Sequence, residues 1–215
     1  MGLDITWAVD WVRRSADSMA EHRIELITLD REIGDGDHGE NMDRGFQAVL
    51  PKLDDLPAGS TPADVLKMVA TTLISTVGGA AGPLYGTAYL KGSVAIAGES
   101  SIDASGVVSF LEASRDGIVA RGKAESGDKT MVDAWTPAVD AARSAADGGA
   151  SAAATLRAAA DAAASGAVAT EPLVARKGRA SYLGERSAGH RDPGAQSTAY
   201  LLEAAAAAAS NGTSA

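Results

Sequence analysis

Segments with the composition and spacing of α-helices alternate along this chain with glycine-bearing connections. In the clearest segment, 62–76, Thr61 takes the N-cap position, Pro62 the first helical position, and apolar residues recur at helical spacing. Aromatic residues make up only 4% of the chain, and β-branched residues rarely alternate with polar ones, so strands are not expected. The other predicted helices span 3–28, 40–50, 83–97, 105–121, 130–146, 151–165 and 194–210. The sequence therefore predicts an all-α fold.

Size and charge narrow the classes of function. A chain of 215 residues suits one well-buried core, so a single domain over 1–215 is expected. A net charge of -9 disfavours nucleic acid as a partner. The absence of cysteine excludes disulfides, thiolate metal ligands and a cysteine nucleophile. No apolar run approaches the roughly 18 residues of a membrane helix, so no membrane association and a cytoplasmic location are expected.

Four glycine-bearing segments interrupt the helical pattern. Connections in a helical bundle are usually only about 2–8 residues long, and longer polar ones commonly carry function. We therefore expect the chemistry in the four segments 30–39, 78–86, 122–130 and 178–194.

The first of these segments contains three aspartates. Residues 29–41 read LDREIGDGDHGEN, and their glycines let Asp30, Asp35 and Asp37 converge. Three bare carboxylates repel one another, whereas a hard divalent cation with oxygen ligands makes such a cluster favourable. Mg²⁺ completes its octahedron with water and phosphate oxygens, which suits a site of about three carboxylates.

Other interpretations of the same residues stay open at this point. The aspartates also fit a solvated acidic turn, with Asp37 as a helix N-cap. A calcium EF-hand fits poorly because Phe46 stands where the bidentate glutamate is required. His38 alone is typical of a structural hydrogen-bonding residue, and Asn41 is placed either to cap a helix or to reach a nucleotide.

The second segment offers backbone N–H groups. Residues 76–87 read TVGGAAGPLYGT, and Gly78, Gly79 and Gly82 can expose N–H groups to a phosphate. The segment is not a Walker loop, because the Gly-Lys-Ser/Thr ending is missing. Close packing of helices through small residues explains it equally well.

The last segment is basic, although the chain as a whole is acidic. Residues 175–197 hold the densest basic stretch of an acidic chain: Arg176, Lys177, Arg179, Arg186 and Arg191. Cations beside a metal-bound nucleotide would neutralise phosphate charge during transfer. The alternative is a solvated loop followed by an ordinary Asp-Pro-Gly turn into a helix.

Four long motifs resemble a known family. They are LDREIGDGDHGENM (29–42), STVGGAAGPLYGT (75–87), ARGKAESGDKTM (120–131) and ARKGRASYLGERSAGHRDPGA (175–195). With these motifs in order, the chain is similar to the L subunit of bacterial dihydroxyacetone kinases, from Trp11 to the last helix. The resemblance implies a barrel-like bundle of eight antiparallel helices with a nucleotide site in loops at one end.

The resemblance also implies the site residues. Asp30, Asp35 and Asp37 match the family's ligands of Mg²⁺, expected as two ions that bridge to the phosphates of ADP or ATP. Arg179 is the expected catalytic residue, and the family commonly has serine in place of Ala81. The expected nucleotide contacts are His38, Asn41, Gly79, Ala80, Ala81, Gly122, Met131, Arg179, Asp192, Pro193 and Gly194.

In the resembled family a phosphoryl group passes to dihydroxyacetone bound on a separate K subunit. The favoured phosphate supply is a phosphohistidine carrier (M type) of the phosphotransferase system, which rephosphorylates ADP in place. Two alternatives are an ATP-dependent ketose kinase subunit that exchanges nucleotide and a nucleotide-loaded regulatory module that binds a transcription factor. The sequence leaves the oligomeric state open, a homodimer included.

Overall fold

The computed structural model describes residues 2–211, so the expected domain span of 1–215 extends beyond the described residues at both ends. The regular secondary structure of the described chain is almost entirely helical, which confirms the all-α prediction. Its α-helices are α1 (Ile5–Glu21), α2 (Arg23–Ile33), α3 (His38–Leu53), α4 (Pro62–Thr76), α5 (Ala81–Ala95), α6 (Ala104–Gly122), α7 (Val132–Asp147), α8 (Ala152–Ala169) and α9 (Pro193–Asn211). A 3-10 helix with a kink at Gly184 spans Arg179–Ser187. The short strands β1 (Leu3–Asp4) and β2 (Ser101–Ile102) pair antiparallel.

Eight of these helices close a ring. In the order α1, α3, α4, α5, α6, α7, α8, α9, each helix packs against the next, and α9 packs back against α1. Neighbours joined by short connections run antiparallel. The ring therefore agrees with the eight-helix barrel that the family resemblance implies, and α2 packs outside it against α3 and α9.

The predicted helix 3–28 differs most from the structure. Leu3 and Asp4 form β1, and the helix that follows is interrupted at His22, after which α2 begins. The His22 ring stacks on Tyr200 of α9 with ring centroids 3.9 Å apart, and its Nδ1 lies 3.2 Å from a Glu25 carboxylate oxygen. This tertiary contact fixes the break, because it ties the junction to a helix far along the chain.

Two predicted connections are shorter than expected. α5 already begins at Ala81, since glycine and proline at its second and third positions are tolerated in the first turn of a helix. The 3-10 helix Arg179–Ser187 occupies much of the predicted connection 178–194. The segment 62–76, by contrast, is a helix with the predicted bounds, and Thr61 and Asp64 form a capping box at its start.

Aromatic side chains fill the centre of the ring. Trp11 lies 5.4 Å from Tyr89 and 5.5 Å from Phe110, measured between ring centroids, and all three are buried. The indole N–H groups of Trp7 and Trp11 donate to backbone carbonyls of α9 at 3.0 and 2.8 Å. Alanines of α9 face this core, and such small side chains let α1 and α8 approach closely.

The antiparallel ring sorts its helix starts into two rims. α3, α5, α7 and α9 begin at one rim, which we call the pocket rim, and α1, α4, α6 and α8 begin at the other, the far rim. Residues from the first turns, or immediately preceding positions, of all four pocket-rim helices line one cavity. None of the helices in the described part of the chain is long and apolar enough to cross a membrane.

Candidate metal and nucleotide site

An acidic cluster lies at the pocket rim. Asp30 occupies the last turn of α2, while Asp35 and Asp37 lie in the short connection to α3. One carboxylate oxygen from each of the three lies within 4.8 Å of the others. Three oxygens this close can ligate a common hard cation such as Mg²⁺.

Local geometry fixes the carboxylate of Asp30. Its Oδ2 accepts hydrogen bonds from the backbone N–H groups of Asp37 (2.9 Å) and His38 (3.1 Å). A Cβ at Gly34 would lie 2.1 Å from Asp30 Oδ1, so only glycine leaves room for this carboxylate. Burial raises the pKa of Asp30, and the two backbone N–H groups partly oppose that shift.

The acidic cluster therefore fits a divalent cation. Asp35 and Asp37 also raise the pKa of Asp30, so the charges of the three carboxylates oppose one another. A bound cation would relieve this repulsion and the cost of burying Asp30. The alternative in which Asp37 caps α3 is not supported, since its side chain makes no capping hydrogen bond there.

Helix starts supply positive partial charge in the same pocket as the acidic cluster. α3, α5 and α7 have no side-chain hydrogen bond at their N-caps, which are Asp37, Ala80 and Met131. Gly79 adopts a left-handed φ of 64° immediately before α5, with nothing within 4 Å of a Cβ built on it. Free N–H groups at the start of a helix favour anions such as phosphate.

A buried polar network supports the floor of the site. His38 Nε2 lies 2.8 Å from Ser197 Oγ, which lies 2.7 Å from the Tyr85 hydroxyl, and Tyr85 donates to the Gly194 carbonyl at 2.9 Å. Burial lowers the pKa of His38 to about 4, so its ring is neutral at pH 7. The network joins α3, α5 and α9 and so fixes the relative positions of three helix starts.

Asp192 caps the fourth helix of the pocket rim. Its Oδ2 accepts from the Ala195 N–H at 2.7 Å, and its own N–H donates to Thr170 Oγ1 at 3.0 Å. Burial raises the pKa of Asp192 to about 7, while the Ala195 N–H and the charge of Lys129 act in the opposite direction.

The basic segment contributes unequally to the pocket. Arg179 Nη2 lies 2.9 Å from Asp35 Oδ2, so this guanidinium already faces the acidic cluster. Lys177 also lines the pocket. Arg191 instead bonds Glu171 at 2.7 Å and Gln196 at 2.8 Å, which places it in a structural ion pair.

The pocket brings together nearly all of the residues expected from the sequence. Gly122 is the exception: it lies outside the lining, at the end of α6, where its Cβ position is 3.1 Å from the Leu84 side chain. Roles in binding and catalysis stay predictions for all of them. The lining contains Asp30, Asp35, Asp37, His38, Asn41, Gly79, Ala80, Ala81, Met131, Arg179, Asp192, Pro193 and Gly194.

Sequence reasoning missed several polar residues of the site. Lys129 and Thr130 line the pocket, and Tyr85 lies beneath it. All three belong to the motifs 75–87 and 120–131, so their position in these motifs could have identified them as site residues. Asn41, which was expected either to cap a helix or to reach a nucleotide, lies inside α3, lines the pocket and accepts a hydrogen bond from Arg44.

Known proteins are similar to this chain in fold and in sequence. The family model of the DAK2 domain matches residues 32–207. The structure is similar to the crystal structure of the dihydroxyacetone kinase of C. freundii, with a TM-score of 0.71 and 25% identity over 93% of this chain. The match covers 34% of that kinase chain. A second C. freundii kinase structure, in complex with AMP-PNP and Mg²⁺, is 23% identical and has the same TM-score of 0.71.

The chain therefore belongs to the DAK2-domain family. Within that family it is 44% identical to the ADP-binding subunit DhaL of the PEP-dependent dihydroxyacetone kinase of Escherichia coli, over 97% of this chain and 99% of the relative. It is 43% identical to the corresponding subunit of kinase 1 of Listeria innocua, over 95% of this chain and 96% of the relative. These near-full-length matches confirm the resemblance to L subunits that the motifs indicate.

Proposed function

We propose that this chain is the nucleotide-binding, phosphoryl-transferring subunit of a dihydroxyacetone kinase. The observation that carries the proposal is the convergence, in one pocket, of three carboxylates with the start of α5, whose N-cap Ala80 makes no side-chain hydrogen bond. The carboxylates suit metal ions, and the helix start suits the phosphates that those ions bridge. The names of the E. coli and Listeria relatives, as ADP-binding subunits, support the same assignment.

In this proposal Asp30, Asp35 and Asp37 hold two Mg²⁺ ions, which would neutralise phosphate charge. The backbone N–H groups of Gly79, Ala80 and Ala81 receive phosphate oxygens of ADP or ATP. His38, Asn41, Met131 and Asp192 to Gly194 form the surrounding contacts, as the family resemblance implies.

Arg179 is the proposed catalytic residue of the chain. Its guanidinium pairs with Asp35 from a mostly exposed position, with 67% of the side chain accessible, so little packing holds it there. It can exchange this carboxylate for a phosphoryl oxygen within the same pocket. Phosphoryl transfer depends mainly on positioning and electrostatic stabilisation, which a planar two-pronged cation supplies well.

The acceptor in this proposal is dihydroxyacetone on a separate K subunit, which docks against the pocket rim. A phosphohistidine carrier of the phosphotransferase system then rephosphorylates the bound ADP. Sequence identity supports this type of kinase: the chain is 44% identical to the E. coli subunit and 36% identical to the L-erythrulose 1-kinase of Mycolicibacterium smegmatis. A single domain and a cytoplasmic location are part of the same proposal.

The nucleotide content of purified protein tests the proposal. Protein purified with Mg²⁺ is denatured, and the supernatant is analysed for nucleotide and metal. We expect ADP and Mg²⁺ to be released, because several contacts must break together before a metal-bridged nucleotide can leave. Nucleotide that exchanges freely would favour the ATP-dependent alternative, and protein that neither retains nor binds ADP would contradict the proposed function.

A further inference from the structure

Lys129 is a buried cation in the wall of the pocket. Its side chain is only 1% exposed. Its Nζ donates to the backbone carbonyls of Thr170 at 2.6 Å, Glu171 at 3.2 Å and His190. An ammonium has three N–H groups, and all three are used by these carbonyls. Lys129 therefore has no free donor for a ligand.

The charge of Lys129 lacks a direct counter-charge. None of the ion pairs in the described chain includes this residue, although Asp192, Glu171 and Asp133 act on it at longer range. Burial lowers the pKa of Lys129, which reflects the cost of keeping a charge out of water. A buried charge is ordinarily paired, because the loss of its hydration is otherwise not compensated.

The backbone at Lys129 is also strained. Its φ of 62° lies in the left-handed region, which is unfavourable for a residue with a side chain and is concentrated at functional sites. Lys123, in the same connection between α6 and α7, has a similar φ of 54° but an exposed side chain. Lys123 ends α6 as its C-cap, so ordinary helix termination explains that residue. No such explanation applies to Lys129.

We propose that Lys129 balances the charge of a phosphate-bearing ligand without touching it. The three carbonyls hold the ammonium at a fixed position in the pocket wall, where its field favours anions in the same cavity. The ligand's phosphates would then add to the longer-range charges of Asp192, Glu171 and Asp133 in balancing Lys129. This inference rests on the proposed function, because it takes the ligand to be a nucleotide with its phosphates in this pocket.

Ligands of increasing charge distinguish an electrostatic role of Lys129 from a purely structural one. Adenosine, AMP and ADP are titrated with Mg²⁺ by calorimetry against the wild type, Lys129→Met, Lys129→Arg and the matched control Lys123→Met. In Lys129→Met we expect affinity to fall about 100-fold for ADP, about tenfold for AMP and less than about twofold for adenosine, because the lost Coulomb attraction grows with ligand charge. Lys129→Arg keeps the charge and should keep the wild-type ratio of ADP to adenosine affinity. Lys123→Met should match the wild type for all three ligands.

The outcomes are distinct. Equal losses for the three ligands in Lys129→Met would show a purely structural lysine and overturn the inference, as would an unchanged ADP affinity. Circular dichroism checks that each variant folds. If Lys129→Met does not fold, a tenfold or larger fall in the ADP-to-adenosine ratio of Lys129→Arg would still overturn the inference. Wild-type protein that binds no ADP would overturn the proposed function itself.

Discussion

The two rims of the barrel begin their helices in different ways. At the far rim, α1, α4, α6 and α8 each start with a side chain that accepts backbone N–H groups of the first turn: Asp4, Thr61, Asp103 and Ser151. At the pocket rim, the N-cap residues of α3, α5 and α7 make no such bond, and only the N-cap of α9, Asp192, does. At α3 and α7 a side chain that is not the N-cap, Asp30 or Thr130, accepts the first N–H of the helix instead.

This difference indicates that the helix starts of the far rim serve stability and those of the pocket rim serve ligand binding. A side-chain cap stabilises a helix by about 1 kcal/mol, so the far rim keeps the ordinary arrangement. The pocket rim omits N-cap stabilisation at three helices, and at α5 it leaves the first-turn N–H groups available to an anion. A change at the far rim should therefore alter stability alone, whereas a change at the pocket rim should alter binding or turnover first.

The largest expected effect is at the pocket rim. We expect Arg179→Lys to lower phosphoryl transfer to K-bound dihydroxyacetone on the order of 100-fold, because an ammonium keeps the charge but loses the two-pronged geometry. ADP affinity should change much less, since the lost interaction belongs mainly to the transition state. Transfer assays with a K subunit, beside ADP calorimetry, measure both. Arg186→Lys, in the same basic segment but outside the pocket lining, is the matched control. If Arg179→Lys leaves both quantities unchanged, Arg179 is a solvated loop residue.

A smaller effect is expected when a charge is placed at an uncapped helix start. Ala80→Asp should weaken ADP binding by about tenfold or more, because a carboxylate repels phosphate. The same carboxylate should raise the free energy of unfolding by about 0.3–1 kcal/mol through its interaction with the helix dipole. Ala80→Asn, of equal size but neutral, controls for bulk. Calorimetry and urea denaturation measure the two changes, and unchanged ADP affinity in Ala80→Asp would remove the start of α5 from the phosphate site.

The smallest effect is expected at the far rim. Thr61→Ala removes the capping box of α4 and should lower the free energy of unfolding by about 1 kcal/mol. ADP affinity should stay at the wild-type value, and Thr61→Ser should recover most of the stability. Urea denaturation measures the loss. If ADP binding weakens along with stability in Thr61→Ala, the two rims are not independent.

Local sequence was sufficient for most of the fold. Helix 62–76 was predicted with its true bounds because its cap, its proline and its apolar spacing are all local features. The break at His22 was not predicted, since it depends on stacking against Tyr200, which only the folded chain brings near. Apolar spacing continues across that junction and gives no local sign of it.

In the candidate site, too, some residues could be predicted from the sequence and others could not. Asp30, Asp35 and Asp37 lie within eight positions of one another, so their convergence could be foreseen from the chain itself. The role of Lys129 could not, because its carbonyl partners lie 41 to 61 residues further along the chain. Its burial and its lack of a direct ion pair appear only when the connections before α7 and α9 meet.

The central claim is that the acidic cluster binds nucleotide through Mg²⁺, and one titration tests it most directly. ADP is titrated into wild-type protein freed of nucleotide, with Mg²⁺ or with a chelator, and into Asp30→Ala, Asp35→Ala and Asp37→Ala with Mg²⁺. The account predicts binding to the wild type only with Mg²⁺, and a loss of more than about 100-fold in each variant at unchanged helicity, since removing a direct ligand should cost more than removing a supporting residue. Equal ADP binding with the chelator, or wild-type affinity in all three variants, would contradict it.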